Sequence, residues 1–251
     1  MNIYDEKSDF VKKVFSKKRV VIVGPAGYLD DNVFGNHIDS YDVVVRFLES
    51  LDSLKHIKKQ VGARTDVIIT SLSSVFPVVP QVNWKDPGRV LLCPFFLGGY
   101  YALLDRGVRL LKAHSLANKL DINLCVRTKE SFIAFWKQVQ SGPTTGVAAI
   151  DYILQFDIQE LHITGFTFNH LKSTYMKSYK VYKLKNVYPD NGRWHYPLAD
   201  EVFCNKTIRS NKVITVDNHI KNKVLLSDKA LAQSITELKN NPKGHRYRGK
   251  L

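Results

Sequence analysis

The run Arg19–Val23, RVVIV closed by Gly24, constrains the fold more than any other stretch of the chain. Four of its five residues are β-branched, and none alternates with a polar neighbour. A strand with one wet face alternates. A strand buried on both faces does not, and such strands belong to parallel sheets covered by helices. Similar runs recur at 41–47, 66–70, 89–93, 122–126, 160–164 and 213–216. Segments with helical periodicity at 5–17, 101–119, 129–140, 146–156 and 227–239 fall between or beside them. This alternation predicts an α/β fold: a single Rossmann-like domain over residues 1–251, with a mostly parallel sheet and helices on both faces. Residues 167–200 lack periodicity and read as an irregular functional segment. In open sheets of this kind, ligands bind beyond the carboxyl ends of the strands.

Charge narrows the choice of partner. The 251 residues carry a formal net charge of +14, which favours something anionic. Part of that charge lies in residues 240–251, read as a flexible basic tail. There is no helix-turn-helix, zinc or RNP-like signature, so no specific nucleic-acid partner is expected. The basic surface is compatible with peripheral membrane contact. No run approaches 18 apolar residues, so no membrane span is expected. The acid-containing start MNIYDEKSDFVKK does not read as a signal peptide. Cys93, Cys125 and Cys204 are odd in number and widely spaced, which gives neither a metal pattern nor a disulfide framework. The simple reading is a reducing compartment, and the expected location is cytoplasmic.

Three constellations could carry chemistry. Gly24-Pro25-Ala26-Gly27 follows the first long strand, where small residues let backbone approach a ligand and N–H groups bind anions. It is not a Gly-x-Gly-x-x-Gly fingerprint, and an ordinary strand-to-loop turn explains it equally well. Gly142-Pro143-Thr144-Thr145-Gly146 precedes an apolar helix. It reads as a capped helix start, or as a helix start that receives a phosphate or carboxylate. His195, close to Asp200 and Glu201, is either a general base or a surface histidine. His162, inside an apolar strand, reads as a packed histidine.

Taken together these pieces resemble the eukaryotic-type family 29 sialyltransferases. Residues 20–66 resemble the large motif of that family, with Gly24, Gly27, Leu29, Gly35, Ile38, Asp39, Asp42, Val45, Arg46, Val61, Gly62, Arg64 and Thr65 in order. Residues 143–166 resemble the small motif, and 195–201 the very small motif. The resemblance implies a GT-A-like variant fold. It also implies a glycosyltransferase that moves sialic acid, or a related keto sugar acid, from a CMP-activated donor to a glycan acceptor hydroxyl with inversion. No metal and no cofactor beyond that donor substrate are implied. It makes His195 the general base. Gly24, Pro25, Ala26, Gly27, Arg46, Thr144, Thr145 and Gly146 become donor-binding residues, with Tyr175 and then His170 as holders of the phosphate.

The chain also departs from the family pattern. Pro25 and Leu48 stand where that family has asparagines, the second of them donor-binding. CMP-Kdo transfer, or nucleotide and anionic-glycan binding without turnover, are the alternatives this raises. Asp200 fits the spacing of the very small motif's acid but is shorter, whereas Glu201 lies one residue too far. Val20 replaces the family's disulfide cysteine, whose partner would fall near Asp157 or Ile158.

Overall fold

The computed structural model describes residues 3–48, 50–51, 56–71, 90–95, 123–168 and 196–240. Their strands are β1 (Ile3–Asp5), β2 (Arg19–Val23), β3 (Val43–Phe47), β4 (Val67–Ile69), β5 (Val90–Cys93), β6 (Asn123–Val126), β7 (Glu160–Thr164) and β8 (Ile214–Val216). All eight form one sheet in the order β1-β6-β5-β4-β3-β2-β7-β8, and every neighbouring pair is parallel. The helices are α1 (Asp9–Phe15), α2 (Gly35–Asp39), α3 (Lys58–Val61), α4 (Lys129–Val139), α5 (Thr145–Ile153), α6 (Pro197–Ser210) and α7 (Asp228–Asn240).

The lack of alternation in the strands follows from burial on both faces. On one face Val20, Ile22, Val43, Val45, Val67 and Ile69 join the larger core with α1, α4 and α5. On the other, Val21, Val23 and Val44 pack with Ile38, Tyr41, Ile57 and Val61 around α2 and α3. Beyond β2 that second face turns polar. Glu160 accepts from Thr215 at 2.8 Å and from Tyr41 at 3.3 Å, and pairs with Arg19 at 3.2 Å. His162 shares a hydrogen bond with the Thr215 hydroxyl at 2.9 Å and stacks on Tyr41, as a packed histidine should.

The sheet order reverses direction at β2: from there the chain runs outward through β3, β4, β5 and β6, then returns to add β7 and β8 on the other side. Such a switch point is where a parallel sheet opens a crevice at its carboxyl edge.

Two expectations are corrected. Residues 5–17 are not one helix: Ile3–Asp5 forms an edge strand on β6, and α1 begins only after Ser8, whose hydroxyl accepts the Phe10 amide at 3.2 Å. Residues 197–200 are not irregular but open α6, the longest helix among the described residues. Its buried face carries Asp200 and Asn205 among apolar residues, so its hydrophobic period is blurred. Asn205 is held there by Leu226 N–H, 2.8 Å from Oδ1, and by donating to the Glu201 carbonyl at 2.9 Å. The expected helix at 101–119 and the basic tail lie outside the described residues.

Gly165 has φ +75°, and a Cβ there would stand 2.3 Å from the Gly24 carbonyl oxygen. Gly165→Ala should therefore destabilise the chain by more than about 2 kcal/mol in urea unfolding. A midpoint within error of the unsubstituted chain would show that the two backbones can separate freely.

Candidate functional site

The site is built outward from the switch point. Gly24 N–H donates to the Thr164 carbonyl at 2.8 Å, and Ala26 N–H to the Gly165 carbonyl at 3.0 Å. A Cβ on Gly24 would meet the Gly165 oxygen at 2.2 Å. Both glycines are thus required by backbone-to-backbone contact. This changes the reading of Gly24-Pro25-Ala26-Gly27. The amides of Gly24 and Ala26 are committed to the β7 segment, proline has none, and Gly27 opens the 3-10 turn Gly27–Asp31. The turn is a joint between strands more than a cradle for an anion.

A buried polar network fastens this joint to β8. The Tyr28 hydroxyl accepts Gly165 N–H at 2.7 Å and donates to Asp217 Oδ2 at 2.6 Å. Thr164 donates to the same oxygen at 2.7 Å, while Asp217 Oδ1 accepts Ile220 N–H at 2.8 Å. The Tyr28 ring stacks on His219 with centroids 3.8 Å apart. Burial first, and the Asp217 charge second, push the Tyr28 phenol well above its ordinary range. Sequence reasoning missed Tyr28 and Asp217. The available signal was an acid directly after the late strand 213–216, at the ligand-bearing edge of a parallel sheet.

Arg46 is corrected from donor-binding to scaffold. It is buried, and its guanidinium donates to the carbonyls of Arg64 at 2.9 Å and Val61 at 2.6 Å. Burial lowers its pKa to about 10, opposed by Asp39 and Asp66. Its neighbours in the large motif act alike. Asp39 accepts the amides of Ala63 at 2.8 Å and Arg64 at 3.1 Å. Asp42 accepts Arg19 N–H at 2.8 Å, and Asp66 accepts Val44 N–H at 2.7 Å. Arg64 returns donors to the Tyr41 carbonyl at 2.6 Å and to Asp66 Oδ1 at 3.2 Å. Leu48 is fully buried.

The amino end of α5 meets the same joint. A Cβ on Gly146 would touch Phe166 at 2.8 Å, and Phe166 also lies against Gly24 and, edge-on, against Phe47. Thr144, Thr145 and Gly146 are half-buried, so this helix end keeps access to solvent. Thr144 takes the cap position without a side-chain capping bond. Unpaired N–H groups and the helix dipole at such an end favour an anion. Thr144 N–H itself donates to Asp200 Oδ2 at 3.0 Å, which ties α5 to the first turn of α6. Asp200 is fully buried. Burial raises its pKa to about 7, and the Thr144 contacts offset part of the rise. Pro197 begins α6, with its missing N–H falling where no helical partner exists.

The structure therefore brings Gly24 and Gly146 together against Phe166, with Thr144 at the same helix end tied to Asp200. His195, Tyr175 and His170 lie outside the described residues. Cys93, Cys125 and Cys204 are free and buried. Burial raises the thiols of Cys93 and Cys125 to about 12, and that of Cys204 well above its usual range.

Residues 5–95 match the family described as Glycosyltransferase family 29 (sialyltransferase). The mouse type 2 lactosamine alpha-2,3-sialyltransferase is 26% identical over 220 residues, covering 79% of this chain and 65% of that protein. The human protein of the same name is 30% identical over 227 residues, covering 79% and 64%. The chain thus spans just under two thirds of the length of these relatives. The crystal structure of a mammalian sialyltransferase superposes with a TM-score of 0.51 at 16% identity, over 80% of this chain and 69% of that one, which bears on the fold. An all-parallel switch-point sheet with an open helix end at its edge fits the glycosyltransferase class. Within that class the chain is similar to family 29, the sialyltransferase family, whose pattern its residues 5–95 match.

The expectation of a cytoplasmic location is overturned by the same comparisons. The relatives are mammalian sialyltransferases, and likeness to them does not support a cytosolic protein. No helix among the described residues is long and apolar enough to cross a membrane.

The raised Asp200 pKa has a defined sign. Folding favours its protonated form, so its contribution to stability is complete below the ordinary 3.8 and is lost as pH rises through about 7. Asp200→Asn keeps an oxygen for Thr144 N–H and removes the titration. The variant should gain stability over the native chain between about pH 4 and 8, by up to about 4 kcal/mol. Parallel unfolding curves across that range would show that Asp200 titrates as an ordinary carboxyl.

Proposed function

We propose that the chain transfers sialic acid from CMP-sialic acid to a glycan hydroxyl by a single inverting displacement without a metal. The acceptor oxygen attacks the anomeric carbon as the bond from that carbon to the phosphate oxygen breaks. CMP leaves, and His195 takes the proton of the attacking hydroxyl. Thr144, Thr145 and Gly146 offer hydroxyls and helix-end amides to the donor's anionic groups. Tyr175 and His170 are the candidates for holding the phosphate. Catalysis on this reading is mainly alignment of two bound partners and stabilisation of the departing negative charge.

One observation supports this reading most: the solvent-accessible amino end of α5 meets the switch turn through Phe166 and is tied by Asp200 to the helix that follows His195 in sequence. The net charge of +14 suits an anionic donor. The names of the relatives make type 2 lactosamine, with an alpha-2,3 linkage, the first acceptor to assay.

A second reading, nucleotide binding without turnover, draws on Leu48. Its buried side chain stands where the family has a donor-binding asparagine, so that contact is missing here. Acceptor-dependent release of CMP excludes this reading, and parallel assays with CMP-sialic acid and CMP-Kdo decide the donor.

CMP, in preference to UDP or S-adenosylmethionine, should raise the unfolding temperature, with about 2.7 kcal/mol of stabilisation at one hundred times Kd. His195→Ala should lower transfer by about 10²–10⁴-fold while the CMP shift persists. Unchanged turnover in that variant removes His195 from the mechanism, and a loss of turnover with EDTA removes the metal-free step.

A further inference from the structure

Asp200 has a feature that the transfer reaction itself does not use. Its Oδ2 holds Thr144 N–H, but its Oδ1 is buried with no hydrogen-bond partner. The groups facing it are few. From α5 come the amide and hydroxyl of Thr144. From its own helix come Glu201 and the thiol of Cys204, whose pKa is raised by burial first and then by both carboxylates. From α4, Phe135 packs edge-on against Phe203, which brings no charge. From α7, Glu237 acts on Tyr196, at the cap of α6. Among the described residues, none of these is a cation.

A buried carboxylate without a counter-ion keeps its charge only with help from hydrogen bonds. Here that help comes from the residue that caps the donor-facing helix end. An anion arriving at the amides of Thr145 and Gly146 competes for the same positive end of α5 and repels the carboxylate behind it. The neutral acid still accepts from Thr144 N–H through its carbonyl oxygen, so the loop stays anchored when the charge is gone.

We propose that Asp200 is a positioning residue of the donor loop whose carboxyl takes up a proton as the anionic donor arrives, so that donor affinity and this one protonation are linked. The proposal rests on the CMP-donor reading above. Linkage requires that CMP bind more tightly as pH falls, with a limit of about tenfold per pH unit for one coupled proton. The phosphate of CMP adds its own pH dependence, but adds it equally to every variant.

The experiment is calorimetric titration of CMP into the full chain at several pH values, in two buffers of different ionisation enthalpy. The native chain should take up more protons on binding near neutral pH than Asp200→Asn does, and its Kd should climb more steeply with pH. Asp200→Asn, which keeps the Thr144 anchor, should bind CMP at least as tightly as the native chain above pH 8. Asp200→Ala, which loses the anchor, should bind several-fold more weakly at every pH; if it does not fold, Asp200→Asn alone carries the comparison. A merely structural carboxyl would move the unfolding temperature while leaving proton uptake the same in both chains. Equal proton uptake and equal pH slopes for native and Asp200→Asn overturn the linkage while CMP binding stands. No CMP binding by the native chain overturns the donor reading and the linkage with it.

Discussion

Everything at the carboxyl edge of the sheet depends on one close approach, between the backbones of Gly24 and Gly165. The first segment donates hydrogen bonds at 2.8 and 3.0 Å to carbonyls of the second across a gap too narrow for a single methyl group. β2 and β7 are therefore held together just beyond their last ladder pair, at the point where the sheet changes direction. That closeness lets one phenylalanine, Phe166, touch the turn after β2, the amino end of α5 and Phe47 of β3 at once. Tyr28, Thr164 and Asp217 then lock the arrangement from the β8 side. A buried tyrosine–aspartate pair of this kind is costly to leave half made, which favours a single geometry.

The residues that carry the resemblance to family 29 fall into two physical groups. Most of the large motif is scaffold. Asp39, Asp42 and Asp66 receive backbone amides at loop ends and strand starts, and Arg46 and Arg64 fill the carbonyls around them. The small motif is different in kind. Its threonines and glycine stay half-buried, and its helix start has no side-chain capping bond. A motif can thus mark a resemblance strongly while most of its side chains are spent on bonds within the chain.

The strands were legible because residues such as Val20–Val23 and Val43–Val45 have no polar face to hide, and burial on both sides admits little else. The reversal at β2 was not legible, since strand order depends on long connections and not on any local run. α6 escaped notice because Asp200 and Asn205 occupy buried positions for hydrogen-bonding reasons, which hides helical periodicity. Edge strand β1 is three residues long, and its pairing with β6 leaves no pattern in the sequence. In the site, a helix start at Thr144 or Thr145 was readable from the breaker cluster before an apolar helix, but the expected side-chain cap is not made. Arg46 was misread because an arginine in a motif suggests a ligand, whereas this one answers two carbonyls of its own chain. The location was misjudged from thiol count and amino-terminal sequence, neither of which identifies a compartment as directly as the relatives do.

The burial of all three cysteines has a practical consequence. Cys93 ends β5, Cys125 lies within β6 and Cys204 sits on α6, so the thiols sample the sheet and the helix tied to the amino end of α5. With thiolate formation suppressed at each, alkylating reagents find little to attack while the chain is folded. Labelling of any one of them reports that its own layer has opened, so the chain carries built-in probes for the order in which its sheet and its α6 segment come apart.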